Sequence, residues 1–182
     1  AWNPVSSVLA VAAADNTLYL VETNPTGANM ITVSEVTRAQ EIKWSSDGSM
    51  LAATFSFTNG DDETQVRIVT VTPAGVVTVR HDAPVGDVVR DLTFSPDGNW
   101  LLYRVSRGGG SWFNVLDIGA GQLTAPVPIT ATDPVGTASN YRAVMSLSPV
   151  WTSANLVIYP SFNDNASVTP GIYTRDLSGL VD

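Results

Sequence analysis

The sequence contains no cysteine, a single histidine and a single lysine among 182 residues. The lack of cysteine excludes disulfides, thiol catalysis and zinc–thiolate sites. A formal net charge of −8 argues against nucleic acid and anionic membrane surfaces as partners. No apolar run approaches the roughly 18 residues that a membrane-spanning helix needs, so we expect no such segment.

Helical periodicity is missing as well, because no long stretch places apolar residues at i, i+3, i+4 and i+7. Hydrophobic residues make up 44% of the chain and charged residues only 14%, a balance typical of strands that are buried on both faces. The 11 prolines and 14 glycines are spread along the chain as turn residues and do not form a linker. The chain is therefore predicted to be all-β, with no visible domain boundary.

A repeated unit organises the sequence. Residues 91–105, DLTFSPDGNWLLYRV, combine a strand that ends in an aromatic residue, a four-residue turn and a second strand. The unit recurs at 41–55 as EIKWSSDGSMLAATF, more faintly near the N-terminus, and in altered form after Leu147. The aromatic anchors Trp2, Trp44 and Phe94 are each followed seven positions later by a leucine: Leu9, Leu51 and Leu101.

A second landmark recurs in step with the first. A small residue followed by glycine closes the third strand of each copy, at Thr26-Gly27, Ala74-Gly75, Ala120-Gly121 and Ser178-Gly179. Leu147 serves as the fourth anchor if its turn holds two extra residues. A period of 40 to 50 residues with about four strands is typical of β-propeller blades. The predicted blades are residues 1–35, 36–82, 83–132 and 133–182.

The residues of the turn between the first two strands of each unit explain why the chain reverses there. Pro96 presets φ near −65°, and Gly48 and Gly98 accept positive φ without steric cost. Asp47 and Asp97 can accept hydrogen bonds from the neighbouring backbone. We therefore interpret both carboxylates as closing a hairpin turn, in preference to metal binding or catalysis.

The segments WSSDGSMLAATF and FSPDGNWLLYRVSRGGGSWFNVLDIGAGQLT resemble the TolB-type or PD40 β-propeller repeat. The third copy follows the family pattern furthest, while the first and fourth lack the Asp-Gly pair of the turn. The resemblance implies a propeller and an extracellular or periplasmic location. It implies no particular activity, since related propellers serve binding, scaffolding and enzyme-gating roles.

The phase of the strands carries a further expectation. The first blade lacks room for its innermost strand, and the fourth lacks its outermost strand. We therefore expect a piece of a larger propeller of seven or eight blades, with a compact four-bladed ring as the alternative. The remaining blades, or a separate protein, are the expected partners.

Few residues are candidates for a site. Asp61, Asp62 and Glu63 offer hard oxygens to Ca²⁺, but their spacing better fits a solvated hairpin tip. His81 has no motif support for catalysis. Trp112 and Trp151 fall off the anchor position and are predicted to expose a face. The candidate partner-binding residues are Asp61, Asp62, Arg107, Trp112 and Trp151.

Two functions fit this pattern. The first is a non-enzymatic scaffold or protein-interaction module with no cofactor and no catalytic residue of its own. The second is the gating propeller of a prolyl-oligopeptidase-like serine hydrolase whose catalytic domain lies outside these residues.

Overall fold

The structure is a computed structural model that describes residues 1–24, 26–108, 110–124, 127–128, 149–153, 155–161 and 171–181. All regular secondary structure in these ranges is β-strand. Within the same ranges, no helix is long and apolar enough to cross a membrane. The described residues form two compact units, Ala1–Gly86 and Asp87–Asp182, although no linker-like composition marks the boundary between them.

The first unit contains two antiparallel sheets, ordered β1-β2-β3 and β4-β5-β6-β7. Their strands are β1 (Val8–Ala12), β2 (Thr17–Asn24), β3 (Gly27–Thr37), β4 (Ala39–Trp44), β5 (Leu51–Thr58), β6 (Thr64–Val71) and β7 (Val77–Asp82). One core joins the two sheets, because Leu18 and Leu20 pack in a single cluster with Trp44, Leu51 and Val69. This is the side-by-side packing that neighbouring blades require.

The second unit also contains two sheets among its described residues, with the orders β11-β10-β9-β8 and β13-β14-β15; β12 pairs with β10. The strands are β8 (Val88–Phe94), β9 (Trp100–Arg107), β10 (Gly110–Asp117), β11 (Gln122–Leu123), β12 (Val127–Pro128), β13 (Val150–Trp151), β14 (Leu156–Ser161) and β15 (Gly171–Asp176). Their shared core includes Leu102, Phe113 and Val115 from the third sheet and Trp151 and Tyr159 from the fourth.

The interval between anchor and leucine in the sequence repeat corresponds to strand pairing in the structure. Trp2 bridges to Leu9, Trp44 pairs with Leu51, and Phe94 pairs with Leu101. The seven-residue interval therefore places each anchor directly opposite its leucine across the turn. Glycines after the third strands, among them Gly75 and Gly121, have positive φ and reverse the chain.

The fourth copy departs from the predicted alignment. Val150 and Trp151 form strand β13, inside the segment that was assigned to an enlarged turn. Trp151 pairs with Val157 and so takes the anchor position itself. The alignment on Leu147 is therefore wrong, since strand residues stand where the enlarged turn was predicted. Leu147 itself lies outside the described residues.

Candidate functional site

In each of the two Asp-Gly turns, the aspartate side chain accepts hydrogen bonds from residues of the same turn. Ser45 Oγ donates to Asp47 Oδ1 at 2.6 Å, and the Ser49 backbone donates to the same oxygen at 3.0 Å. Gly48 adopts φ of +69° to close this turn. The corresponding donors to Asp97 Oδ1 are Ser95 Oγ at 2.5 Å and the Asn99 backbone at 3.1 Å. Both carboxylates therefore stabilise hairpins.

These hydrogen bonds also set the acidity of the two carboxyl groups. The Ser45 hydroxyl and then the Ser49 backbone amide lower the pKa of Asp47. The Ser95 hydroxyl, with the backbone and side chain of Asn99, lowers the pKa of Asp97. In both cases the donors favour the charged form, so the turns are strongest when the carboxylates are ionised.

The side chain of Arg107 is exposed at the end of the β9–β10 hairpin. The Nε atom of Arg107 lies 3.1 Å from Asp87 Oδ1, and the carboxylate is 3% exposed while the arginine side chain is 50% exposed. The same guanidinium lies 5.7 Å from the ring centroid of Trp112. A buried carboxylate and an aromatic face thus hold a guanidinium that solvent can reach.

A second arginine of this sheet is buried. Arg104 Nε donates to Asp91 Oδ2 at 2.6 Å, and Arg104 is only 8% exposed. Asp91 has φ of +62°, and the pairing of β8 with β9 shifts register between Arg90 and Thr93. The β-bulge therefore turns the carboxylate toward the arginine, at the cost of an unfavourable backbone conformation.

Hydroxyl groups continue this polar cluster toward the hairpin. Ser106 Oγ and Ser111 Oγ lie 2.8 Å apart, and Arg104 Nη1 donates to Ser106 Oγ at 3.3 Å. The described residues of the cluster include no histidine beside the serines, and Asp91 is paired with an arginine. Because Arg104 is paired with Asp91 and both hydroxyls are hydrogen-bonded, we interpret this cluster as a structural network within the sheet.

Trp112 is part of the interior. Its indole N–H donates to Asn114 Oδ1 at 3.1 Å, and Asn114 Nδ2 donates to Tyr103 Oη at 3.4 Å. Burial raises the pKa of Tyr103 to about 12. The predicted exposure of Trp112 and Trp151 is wrong, because they are 7% and 6% exposed. Trp112 supports Arg107 from below, and Trp151 packs in the core between the third and fourth sheets.

The acidic hairpin between β5 and β6 is exposed, as predicted for a hairpin tip. Asn59 Oδ1 accepts hydrogen bonds from the backbone amides of Asp61 and Glu63, both at 2.9 Å. The described part of the chain contains no group of three His, Cys, Asp or Glu side chains able to hold a metal ion. The calcium interpretation of Asp61, Asp62 and Glu63 therefore has no support, because their carboxylates do not converge on one point.

The sequence analysis named Arg107 as a candidate but did not name Asp87, Asp91 or Arg104. A signal was present, since an arginine in the apolar run WLLYRVS needs a buried partner. The identity of that partner depends on the β-bulge in β8. No glycine, proline or other turn residue marks this bulge in the sequence.

No family model matches the chain. No curated protein matches it either.

Solved structures do match. The β-propeller domain of the Trilobed protease from Pyrococcus furiosus has a TM-score of 0.52 at 15% identity, covering 93% of this chain and 50% of its own. Oligogalacturonate lyase from Vibrio parahaemolyticus has a TM-score of 0.57 at 16% identity, covering 90% and 46%. Acylaminoacyl peptidase from Pyrococcus horikoshii has a TM-score of 0.56 at 14% identity, covering 93% and 29%.

These likenesses establish the architecture. The chain has a β-propeller fold. It spans about half the length of the first two structures, so it corresponds to part of a larger propeller. At these levels of identity the comparison shows the fold and not the activity.

Proposed function

We propose that the chain is a non-enzymatic β-propeller module of a larger protein or assembly, and that the β9–β10 hairpin end binds an acidic group of a protein partner. The observation that carries this proposal is the half-exposed guanidinium of Arg107, fixed between the buried Asp87 carboxylate and the Trp112 ring. A guanidinium held in this way loses little side-chain freedom on binding, so more of the interaction energy appears as affinity.

The acidic hairpin is a separate contact candidate in the first unit. The Asp61 and Asp62 side chains make no hydrogen bond among the described residues, while the backbone around them is ordered by Asn59. Carboxylates presented on an ordered turn attract a basic surface and accelerate encounter. We therefore include Asp61 and Asp62 with Arg107 as partner-binding residues.

The test compares two exposed arginines of the same unit. The full-length protein is captured with its bound partners, and the amount of each partner is compared for wild type, Arg107→Ala and Arg90→Ala. Arg90 is exposed on β8 and has the same charge. We expect Arg107→Ala to reduce partner recovery at least about tenfold, the scale of a hot-spot arginine, and Arg90→Ala to leave it unchanged. Equal recovery from all three proteins would overturn the proposal.

A second candidate is a gating propeller attached to a hydrolase domain. The likeness to the propeller domain of the Trilobed protease and to the acylaminoacyl peptidase favours it. The full-length protein is treated with a fluorophosphonate probe, which labels activated serines. Labelling of a serine outside residues 1–182 supports this candidate, and an unlabelled protein that still captures a partner supports the module.

We also propose that the chain is built from TolB-type or PD40 repeats. The aromatic-Ser-Pro-Asp-Gly turn at 94–98 and the run to Thr124 support a TolB-type or PD40 repeat. An extracellular or periplasmic location follows from that resemblance, and fractionation of cells that produce the full-length protein tests it.

A further inference from the structure

The tip of the β5–β6 hairpin carries the single Asn-Gly pair of the sequence, Asn59-Gly60. Asparagine is a chemically labile residue, and it loses its side-chain amide when the backbone nitrogen of the next residue attacks Cγ. Glycine in that next position favours the attack, because it has no Cβ to shield the nitrogen and its backbone rotates freely. The attack also requires an accessible nitrogen and donors that stabilise the charge developing on Oδ1.

The backbone nitrogen of Gly60 is accessible. Gly60 is exposed, and beyond its chain neighbours no atom lies within 4 Å of the position that a Cβ would occupy. Among the described residues its N–H group donates to no acceptor, whereas Asn59 N donates to the Glu63 carbonyl at 2.9 Å and Asp61 N donates to Asn59 Oδ1 at 2.9 Å. The Gly60 nitrogen therefore approaches Cγ without the cost of breaking a hydrogen bond.

The side-chain amide of Asn59 is polarised by its neighbours. Its Oδ1 atom accepts hydrogen bonds from the backbone amides of Asp61 and Glu63, both at 2.9 Å. When a nitrogen adds to Cγ, negative charge moves onto this oxygen, and backbone N–H groups placed at such an oxygen stabilise the charge. Asn59 Nδ2, the nitrogen that leaves, donates to Glu63 Oε2 at 3.4 Å. The contacts that order the turn therefore also favour the attack on Cγ.

We infer that Asn59 is a site of spontaneous deamidation in the native hairpin, through a cyclic imide formed with Gly60. The Gly60 nitrogen forms a bond to Asn59 Cγ, the Cγ–Nδ2 bond breaks, and Nδ2 leaves as ammonia with the proton from Gly60. Water then opens the ring at Cγ to give aspartate, or at the main-chain carbonyl carbon to give isoaspartate. Either product adds a negative charge beside Asp61, Asp62 and Glu63, and isoaspartate also lengthens the backbone by a methylene group.

Other turns of the chain lack this combination. Asp47 and Asp97 are also followed by glycine, but hydrogen bonds lower the pKa of both carboxyl groups, and an ionised carboxylate resists attack by a nucleophile. The amides of the two following glycines also donate to serine carbonyls at 3.0 Å. Asn99 is an exposed asparagine, but the nitrogen that follows it, in Trp100, donates to Ser95 Oγ at 3.0 Å. We therefore expect the reaction at Asn59 and not at these three residues.

The experiment incubates the full-length protein at neutral pH and physiological temperature. Modification is followed by peptide mapping with mass spectrometry, using fragmentation that distinguishes aspartate from isoaspartate. A synthetic peptide of residues 57–65 is the unstructured reference. We expect Asn59 to react in the protein at least as fast as in the peptide, because the hairpin leaves Gly60 accessible and polarises the amide. Within the protein it should react at least about tenfold faster than Asn99.

Gly60→Ala is the diagnostic variant. The new methyl group enters open space, and Gly60 does not have the positive φ that disfavours alanine, so the hairpin should be retained. Because the methyl group shields the attacking nitrogen, we expect the reaction at Asn59 to slow at least about tenfold. Gly179→Ala, at an exposed glycine that also has open space and no positive φ, is the matched control and should react like wild type.

Two results would overturn the inference: slower modification of Asn59 in the protein than in the peptide, or equal rates in wild type and Gly60→Ala. Deamidation at Asn59 needs only water and does not depend on the proposed function. Partner recovery from the same samples separates the two, since loss of the partner on Arg107→Ala with an unmodified Asn59 would refute deamidation alone and leave the proposed function standing.

Discussion

The packing of the third sheet on the fourth can be tested at Phe113. This side chain is 2% exposed, and its ring meets Tyr159 edge to face with centroids 5.0 Å apart. Full burial of a phenylalanine contributes about 2–3 kcal/mol, and the aromatic pair adds about 0.5–1.5 kcal/mol. Because the cavity left by Phe113→Ala collapses only in part, we expect a loss of about 3–5 kcal/mol in the free energy of unfolding.

The assay is urea unfolding followed by tryptophan fluorescence. Phe113→Leu, which keeps an apolar side chain but removes the ring and part of the volume, should cost only about 1–2 kcal/mol. Ile172→Ala changes the equivalent position of the fourth sheet, where the side chain is 67% exposed, and should cost less than about 0.5 kcal/mol. If Phe113→Ala and Ile172→Ala had equal effects, the sheets would not pack as described.

Three further predictions concern the turns and the bulge. Gly48→Ala should destabilise the chain more than Gly98→Ala in thermal unfolding, because both glycines have positive φ but only at Gly48 would a methyl group overlap other side chains, those of Asn3 and Val5. Asp97→Asn should cost stability above about pH 4, the unfolded carboxyl pKa. Since the folded pKa is lowered, the difference from wild type should shrink as the pH falls through it; a pH-independent difference would contradict this. Arg104→Ala leaves the Asp91 carboxylate without its guanidinium and should cost about 3 kcal/mol in urea unfolding, whereas Arg104→Met should cost less.

Much of the fold could be predicted from the sequence, because a propeller blade is specified locally. Turn residues and strand periodicity are short-range signals, and the predicted two-strand units at 41–55 and 91–105 correspond to β4–β5 and β8–β9. The anchor–leucine interval was also informative, since it reports a cross-strand pair. Prediction failed at the fourth anchor, where Thr152 and Asn155 form a turn without the Asp-Gly signature.

The candidate site was less predictable because its geometry depends on contacts between strands. Trp112 was expected at the surface on repeat position alone, but its N–H group has a buried acceptor in Asn114. That acceptor becomes visible only when both side chains are placed on the same face of β10. Arg104 and Asp91 are 13 residues apart in sequence and meet at 2.6 Å only because of the bulge. Buried polar pairs of this kind are tertiary features, and single-sequence patterns do not specify them.

Strand β9 changes from apolar to polar residues along its length, which separates the packing part of the third sheet from the hairpin end for which we propose a binding role. Residues 102, 104 and 106 share one face because side chains alternate along a strand. Leu102 lies in the apolar core, whereas Arg104 and Ser106 are hydrogen-bonded within the sheet. A sheet that only packed against its neighbour would gain more from apolar residues at these positions, since buried ion pairs are often replaced by hydrophobic groups without loss of stability. We therefore interpret the polar cluster as ordering the end of β9 that is followed by Arg107.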